Sequence, residues 1–259
     1  MPEHMTWFAF LPGYENLVKA IQGVGGATWL TGSSLDLQHS LGALLTSILL
    51  IIVAILFRRS LAEGKKALIP EEKFSVRNFI EIISEIVIGL MEEIMGKKAA
   101  RYFFPLIGTC ALFILFSNLM GFIPGLAPPT SNLNTTAGCA IIIFVATHVF
   151  GIKEHGIKYF AQFFGPIRKW YAFPLMLFMF VVEVIGHIAR PVSLSFRLMG
   201  NMFADHAVAS VFLGLVPLVP FVIPLPVMFL GLLVCIVQTM VFILLSMVYI
   251  GSAISHEEH

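Results

Sequence analysis

The stretch VEVIGHIARPVSLSFRLMGNMFADH, residues 182–206, lies in one of the most apolar parts of the chain. It nevertheless carries Glu183, His187, Arg190, Arg197, Asn201, Asp205 and His206. From Pro174 to about Leu213 the one strong stop signal is Pro191. A helix over 174–213 would be about 60 Å long at 1.5 Å per residue, against about 30 Å for the hydrocarbon core of a bilayer. Such a helix tilts steeply or bends. Pro191 removes the hydrogen bond to the His187 carbonyl, so a bend is expected there.

The surrounding composition says what solvent this helix meets. Of 259 residues, 58% are hydrophobic and 12% charged, with a mean hydropathy of +0.91; a soluble domain is about 25% charged. The excess apolar residues come in runs of about 20, the length that spans a bilayer as a helix. A β-barrel would show short alternating segments instead. The expectation is an all-α polytopic membrane protein with five embedded helices over about 37–57, 102–123, 136–152, 174–213 and 226–250. The last two are long and tilted, and form a hairpin that reverses at GLVPLVPFVIPLP, residues 214–226. Residues 37–259 read as a single transmembrane domain, and residues 1–36 as a separate segment outside it.

FSVRNFIEIISEIVIGLMEEIMGKK, residues 74–98, has a different pattern. It places Phe79, Ile83, Ile86, Leu90 and Ile94 on one helical face, with Glu81, Glu85 and Glu92 largely opposite. This predicts an amphipathic helix over about 75–95, lying on the membrane surface. Cys110, Cys139 and Cys235 sit in apolar runs without metal-ligand spacing and read as packing residues. No Gly-rich loop that would cradle a phosphate is present. No cofactor or metal is expected. A net charge of +1 gives no sign of nucleic-acid binding.

Thirteen of the sixteen Lys and Arg fall within 58–101 and 153–169, whereas the loops at 124–135 and 214–220 carry no charge. The positive-inside rule puts the basic regions in the cytoplasm. The N-terminus is then outside and the C-terminus cytoplasmic.

On a helical wheel with Glu183 at zero, His187 falls near about 40°, Arg190 near about −20°, Arg197 near about −40°, Asn201 near about 0° and Asp205 near about 40°. His206 lies off this stripe, near about 140°. Three readings compete. The charges could pair within the chain and hold helices together. They could line a water-filled path through this chain alone. Or they could form a polar face presented sideways to another subunit, which suits a steeply tilted helix. The helix enters from the cytoplasmic side, so Glu183, His187 and Arg190 lie nearer the cytoplasm and Asn201, Asp205 and His206 nearer the outside. Arg197 sits between them. A permanent cation there blocks direct passage of a proton and, staying protonated, cannot relay one.

At these residues the sequence resembles subunit a of the F-type ATP synthases. PVSLSFRLMGNMFADH (191–206) is similar to that family's signature around its essential arginine, and VQTMVFILLSMVYIGSA (237–253) to its last helix. NLMGFIPG (118–125) and PTSNLNTTAG (129–138) match the end of its second helix and the loop that follows. The resemblance covers roughly residues 75–253 and implies the following. The chain would be a non-catalytic subunit that translocates protons through two offset half-channels, coupled to rotation of a ring of c subunits and so to ATP synthesis. Arg197 would face the ring's mid-membrane carboxylates, with Gln238 near it. Asn201 and His206 would line the outer half-channel and Glu183, with Arg190, the cytoplasmic one; Asp205 and His187, which the stripe puts on the same two sides, are not usual positions of the family. The c-subunit ring, the b-subunit peripheral stalk, the rest of the synthase and membrane lipid would be its partners, in the bacterial inner membrane. Many members carry an acidic residue at the position of His206 and a histidine at that of Gly231, and acidic residues at those of Gly121 and Asn132. A different reading is a stand-alone secondary transporter or ion channel with a midplane arginine. Such folds often show an internal repeat, which is absent here. A purely structural anchor leaves the stripe without a reason.

Overall fold

The computed structural model describes residues 37–61, 76–123, 126–156, 159, 173–215 and 224–254. Among these, six α-helices and one short 3-10 turn make up the regular structure. They are α1 (Leu37–Leu61), α2 (Val76–Met95), α3 (Lys97–Met120), the turn Pro129–Ser131, α4 (Leu133–His155), α5 (Phe173–Leu215) and α6 (Pro224–Ile254). All but α2 are long and apolar enough to cross a membrane. The chain is an all-α, multi-pass membrane protein.

Five alternating crossings put the C-terminal end of α1, the N-terminal ends of α3 and α5, and the C-terminal ends of α4 and α6 on one side. Arg58 and Arg59 in the last turn of α1, Lys97 and Lys98 at the start of α3 and Lys153 in the last turn of α4 collect there. This is called the basic side below. Basic residues in a last turn also complement the partial negative charge of a helix C-terminus.

The centre of the bundle is where α3, α4, α5 and α6 meet. Ile107, Ile114, Ile143, Leu198, Phe242 and Met247 are fully buried there. α5 is 43 residues long, and helical conformation runs unbroken through Pro191. Ser195 donates its hydroxyl to the Pro191 carbonyl at 2.7 Å. At about 65 Å of length, α5 exceeds the hydrocarbon thickness twofold. α6 packs back along it as the second arm of the hairpin, with Pro224 and Pro226 tolerated in its first turn. α1 is the most peripheral span. It docks on the loop before α4, where His39 Nδ1 lies 3.3 Å from the Pro128 carbonyl oxygen.

α2 has two adjoining apolar surfaces. Ile80, Val87 and Met91 are buried, with Ile83 and Leu90 packed beside them, and the helix packs on α3 and α6. Phe79, Ile86 and Ile94 of the apolar stripe are exposed.

Gly96 joins α2 to α3 with φ of 79°, a left-handed conformation that costs a residue with a Cβ roughly 1–2 kcal/mol. Gly89, in the middle of α2, has nothing within 4 Å of where a Cβ would sit. Gly96→Ala is expected to lower the thermal unfolding midpoint of the detergent-solubilised protein, and Gly89→Ala to leave it unchanged or raise it.

Candidate functional site

The rotation of α5 decides what each of its polar groups meets. Leu194, Leu198 and Met202, spaced one turn apart, are buried against the neighbouring helices. Phe196 and Phe203 lie on the opposite side and are exposed. The polar stripe runs along the seam between these faces. It is therefore not presented whole to the outside. Glu183, His187, Arg190, Asn201 and Asp205 are half-buried in the seam, and Arg197 is exposed. Among the described residues Arg197 makes no ion pair; the ion pairs found join Arg77 to Glu81 and His187 to Glu183.

Two polar clusters lie to either side of Arg197. On the basic side, His187 Nε2 is 3.3 Å from Glu183 Oε1, one turn along the same helix. The Arg190 guanidinium stacks over the Tyr249 ring of α6, 5.3 Å from its centroid. His148 of α4 meets His187 edge to face, with centroids 5.1 Å apart. Tyr159 packs edge-on against His148 at 5.9 Å. Burial pushes the Tyr159 hydroxyl above its ordinary pKa, as does the nearby Glu183, against the opposing pull of Arg190. The phenol thus stays neutral across the physiological range.

On the far side, Asn201 donates its side-chain amide to Gln238 Oε1 at 2.5 Å. Gln238 is buried, and its Nε2 has no hydrogen-bond partner among the described residues. Asp205, one turn beyond Asn201, lies against Gly231 of α6. A Cβ at 231 would stand 2.5 Å from Asp205 Oδ2 and 2.7 Å from Oδ1. The carboxylate occupies the space that a side chain at 231 would take. The backbone of His206 is helical, but its side chain lies outside the described part of the structure. Deeper in this half, Thr130 donates to the buried Asn118 Oδ1 at 2.6 Å.

Between the clusters the packed face is apolar, formed by Leu194, Leu198, Phe242 and Ile243. The hydroxyls in this layer are turned onto their own helices. Ser195 bonds to the Pro191 carbonyl, Thr239 to that of Cys235 and Ser246 to that of Phe242. Within the described residues no polar chain links the two clusters.

The structure brings Gln238 to Asn201, which lies one turn of α5, about 6 Å, beyond Arg197. It adds His148, Tyr159 and Tyr249 to the basic-side cluster. Of these His148 had a signal in the sequence, as an ionisable residue inside an apolar span; the tyrosines had none. Asn132 accepts from the Asn134 amide at 2.9 Å as the N-cap of α4, and Gly121 is the C-cap of α3. Cys110, Cys139 and Cys235 are free and buried. No group of three or more His, Cys, Asp or Glu that could hold a metal occurs among the described residues.

A family model described as ATP synthase A chain matches residues 43–251, from early in α1 nearly to the end of α6. The chain belongs to the ATP synthase subunit a family. A subunit a from Sorangium cellulosum is 41% identical over the whole of both chains. A subunit a from Syntrophotalea carbinolica is 48% identical over 84% of this chain and 86% of its own. One from Geobacter sulfurreducens is 47% identical over 79% and 84%. As a member of this family, the chain is one subunit of a larger complex in the membrane.

The contact between Asp205 and Gly231 makes the two positions of this chain interdependent. Gly231→Ala is expected to destabilise the protein by about 1–3 kcal/mol, the usual cost of overpacking. In an Asp205→Ala background the same change should cost less than half as much. A double-mutant cycle of thermal midpoints reads the difference, and additive costs would refute it.

Proposed function

We propose that the chain is the stator element of a proton-driven rotary motor. Protons cross through two offset half-channels, coupled to rotation of a ring of c subunits, and so drive ATP synthesis. Membership of the ATP synthase subunit a family supports the proton-translocating role. The observation that carries the finer reading is the position of Arg197: exposed, without an ion-pair partner among the described residues, and between two polar clusters that an apolar layer separates.

An ionised side chain at the centre of an isolated membrane helix costs about 2.5–3.5 kcal/mol on insertion scales. Arg197 therefore calls for an anionic partner outside this chain, and a mid-membrane carboxylate on each c subunit meets that need. Asn201, Asp205, His206 and Gln238 line the outer half-channel, and Glu183, His187 and Arg190 the cytoplasmic one. A proton arriving from outside neutralises a ring carboxylate, which then turns into lipid. After nearly a full turn it ionises at the cytoplasmic half-channel. Arg197 holds the ionised carboxylate between the two and prevents a direct leak. The orientation follows from the basic side lying in the cytoplasm, with the segment 1–36 outside and 37–259 as the transmembrane domain. The setting is the bacterial inner membrane, with the b-subunit peripheral stalk holding this subunit still.

Arg197→Ala is expected to abolish proton-driven ATP synthesis in vesicles while the complex still assembles. Synthesis at the parent rate would overturn the proposal. His206→Ala is expected to slow proton uptake from outside and to change its dependence on outside pH. An unchanged profile would leave His206 a packing residue.

A further inference from the structure

The basic-side cluster contains a titratable group that α5 does not supply. His148 projects from α4, next to the Lys153 and His155 end of that helix. Its Nδ1 lies 2.9 Å from the Phe144 carbonyl oxygen. A carbonyl only accepts, so Nδ1 carries the hydrogen and Nε2 is the atom free to gain or lose a proton. The ring is held on three sides. Phe144 lies 4.2 Å away and Tyr159 5.9 Å away by ring centroids, and His187 stands at 5.1 Å. Tyr159 reaches this place because residue 151 is glycine: a Cβ there would stand 2.5 Å from the Tyr159 ring.

Thr147, His148, His187, Arg190 and Tyr249 border a small cavity of about 10 Å³. That is about the space one water requires, but the walls of the cavity are almost wholly apolar. The charged and titratable groups around His148 come from every element packed on it. They are His187, Glu183 and Arg190 from α5, Tyr249 from α6 and Tyr159 from the segment after α4. Lys153 is turned towards the Tyr102 and Phe150 rings, 5.8 Å and 6.0 Å from their centroids.

We propose that His148 and His187 act as one proton-holding pair in the cytoplasmic half-channel. The inference rests on the function proposed above. Two imidazoles this close, beside a permanent cation at Arg190, repel a second positive charge. In the outside-to-cytoplasm direction, a ring carboxyl group releases its proton, becoming a carboxylate, and an imidazole nitrogen takes that proton up. The proton passes to Glu183 and then to cytoplasmic water, and each nitrogen returns to its starting state. Only N–H and O–H bonds form and break. His148 thereby gives the outlet a second helix, so that proton transfer depends on α4 and α5 keeping their register.

The test uses the complete ATP synthase in vesicles with the cytoplasmic face outward, measuring ATP-driven proton uptake per assembled complex. His148→Gln and His187→Gln should each slow uptake by about tenfold, below the range a positioned proton-transfer group usually contributes because water offers a parallel path. The double variant should be no slower than the slower single, because members of one unit are not additive. Each single variant should also lose the dependence of rate on cytoplasmic pH across the imidazole range. His148→Asn is a second variant with the same expectation, should the glutamine disturb assembly. Parent behaviour in both His148 variants, or a double variant as slow as the product of the singles, would overturn the pair. A dead Arg197→Ala beside a normal His148→Gln would remove this inference alone. An active Arg197→Ala would remove the function on which it rests.

Discussion

A permanent cation in hydrocarbon needs an anion or water beside it, and the arrangement of this molecule follows from where Arg197 can and cannot find one. The nearest carboxylates on its own helix are Asp205, about two turns beyond it, and Glu183, about four turns before it. Neither reaches it. Glu183 is engaged by His187, and Asp205 is folded against Gly231. Leu194 and Leu198, one turn apart on the packed face, fix the rotation of α5. With them buried, the side chain at 197 must point outwards. Packing of apolar groups thus sets the direction of the charge. Removing that packing would let Arg197 turn inwards towards the carboxylates.

The same apolar layer does a second thing. Leu194, Leu198, Phe242 and Ile243 lie between the polar groups of the two halves, and the hydroxyls among them are satisfied by their own backbones. A proton has no described route along the inside of the chain from Asn201 to Arg190. Separation of the clusters is therefore a property of the hairpin core itself. The cation adds to it electrostatically on the exposed side, where an apolar layer alone would leave the surface open to a partner's water.

Length and hydropathy made the helices legible in the sequence, because a bilayer imposes one length scale on every span. The polar stripe was legible too, since one helix fixes the angles of its own side chains. What could not be read was anything that depends on the rotation of one helix against another. Which residues of α2 pack on the protein is one such feature, because lipid and protein both select apolar residues and a wheel cannot tell Phe79 from Ile80. Gln238 meets Asn201 because of the register of α5 against α6, which neither sequence contains alone. The role of His148 is of the same kind: a single histidine in an apolar span reads as packing, and only the register of α4 against α5 puts His187 5.1 Å from it.

Asp205 illustrates how such a register couples two choices of residue. A carboxylate on the seam of α5 needs room, and in a tightly packed hairpin the room must come from the facing helix. Gly231 supplies it. A larger residue at 231 would carry its own functional group into the same space, but from α6. The volume admits one side chain or the other, not both. The residues at 205 and 231 thus make sense as one arrangement. The glycine on α6 leaves the space, and the carboxylate that fills it is carried by α5.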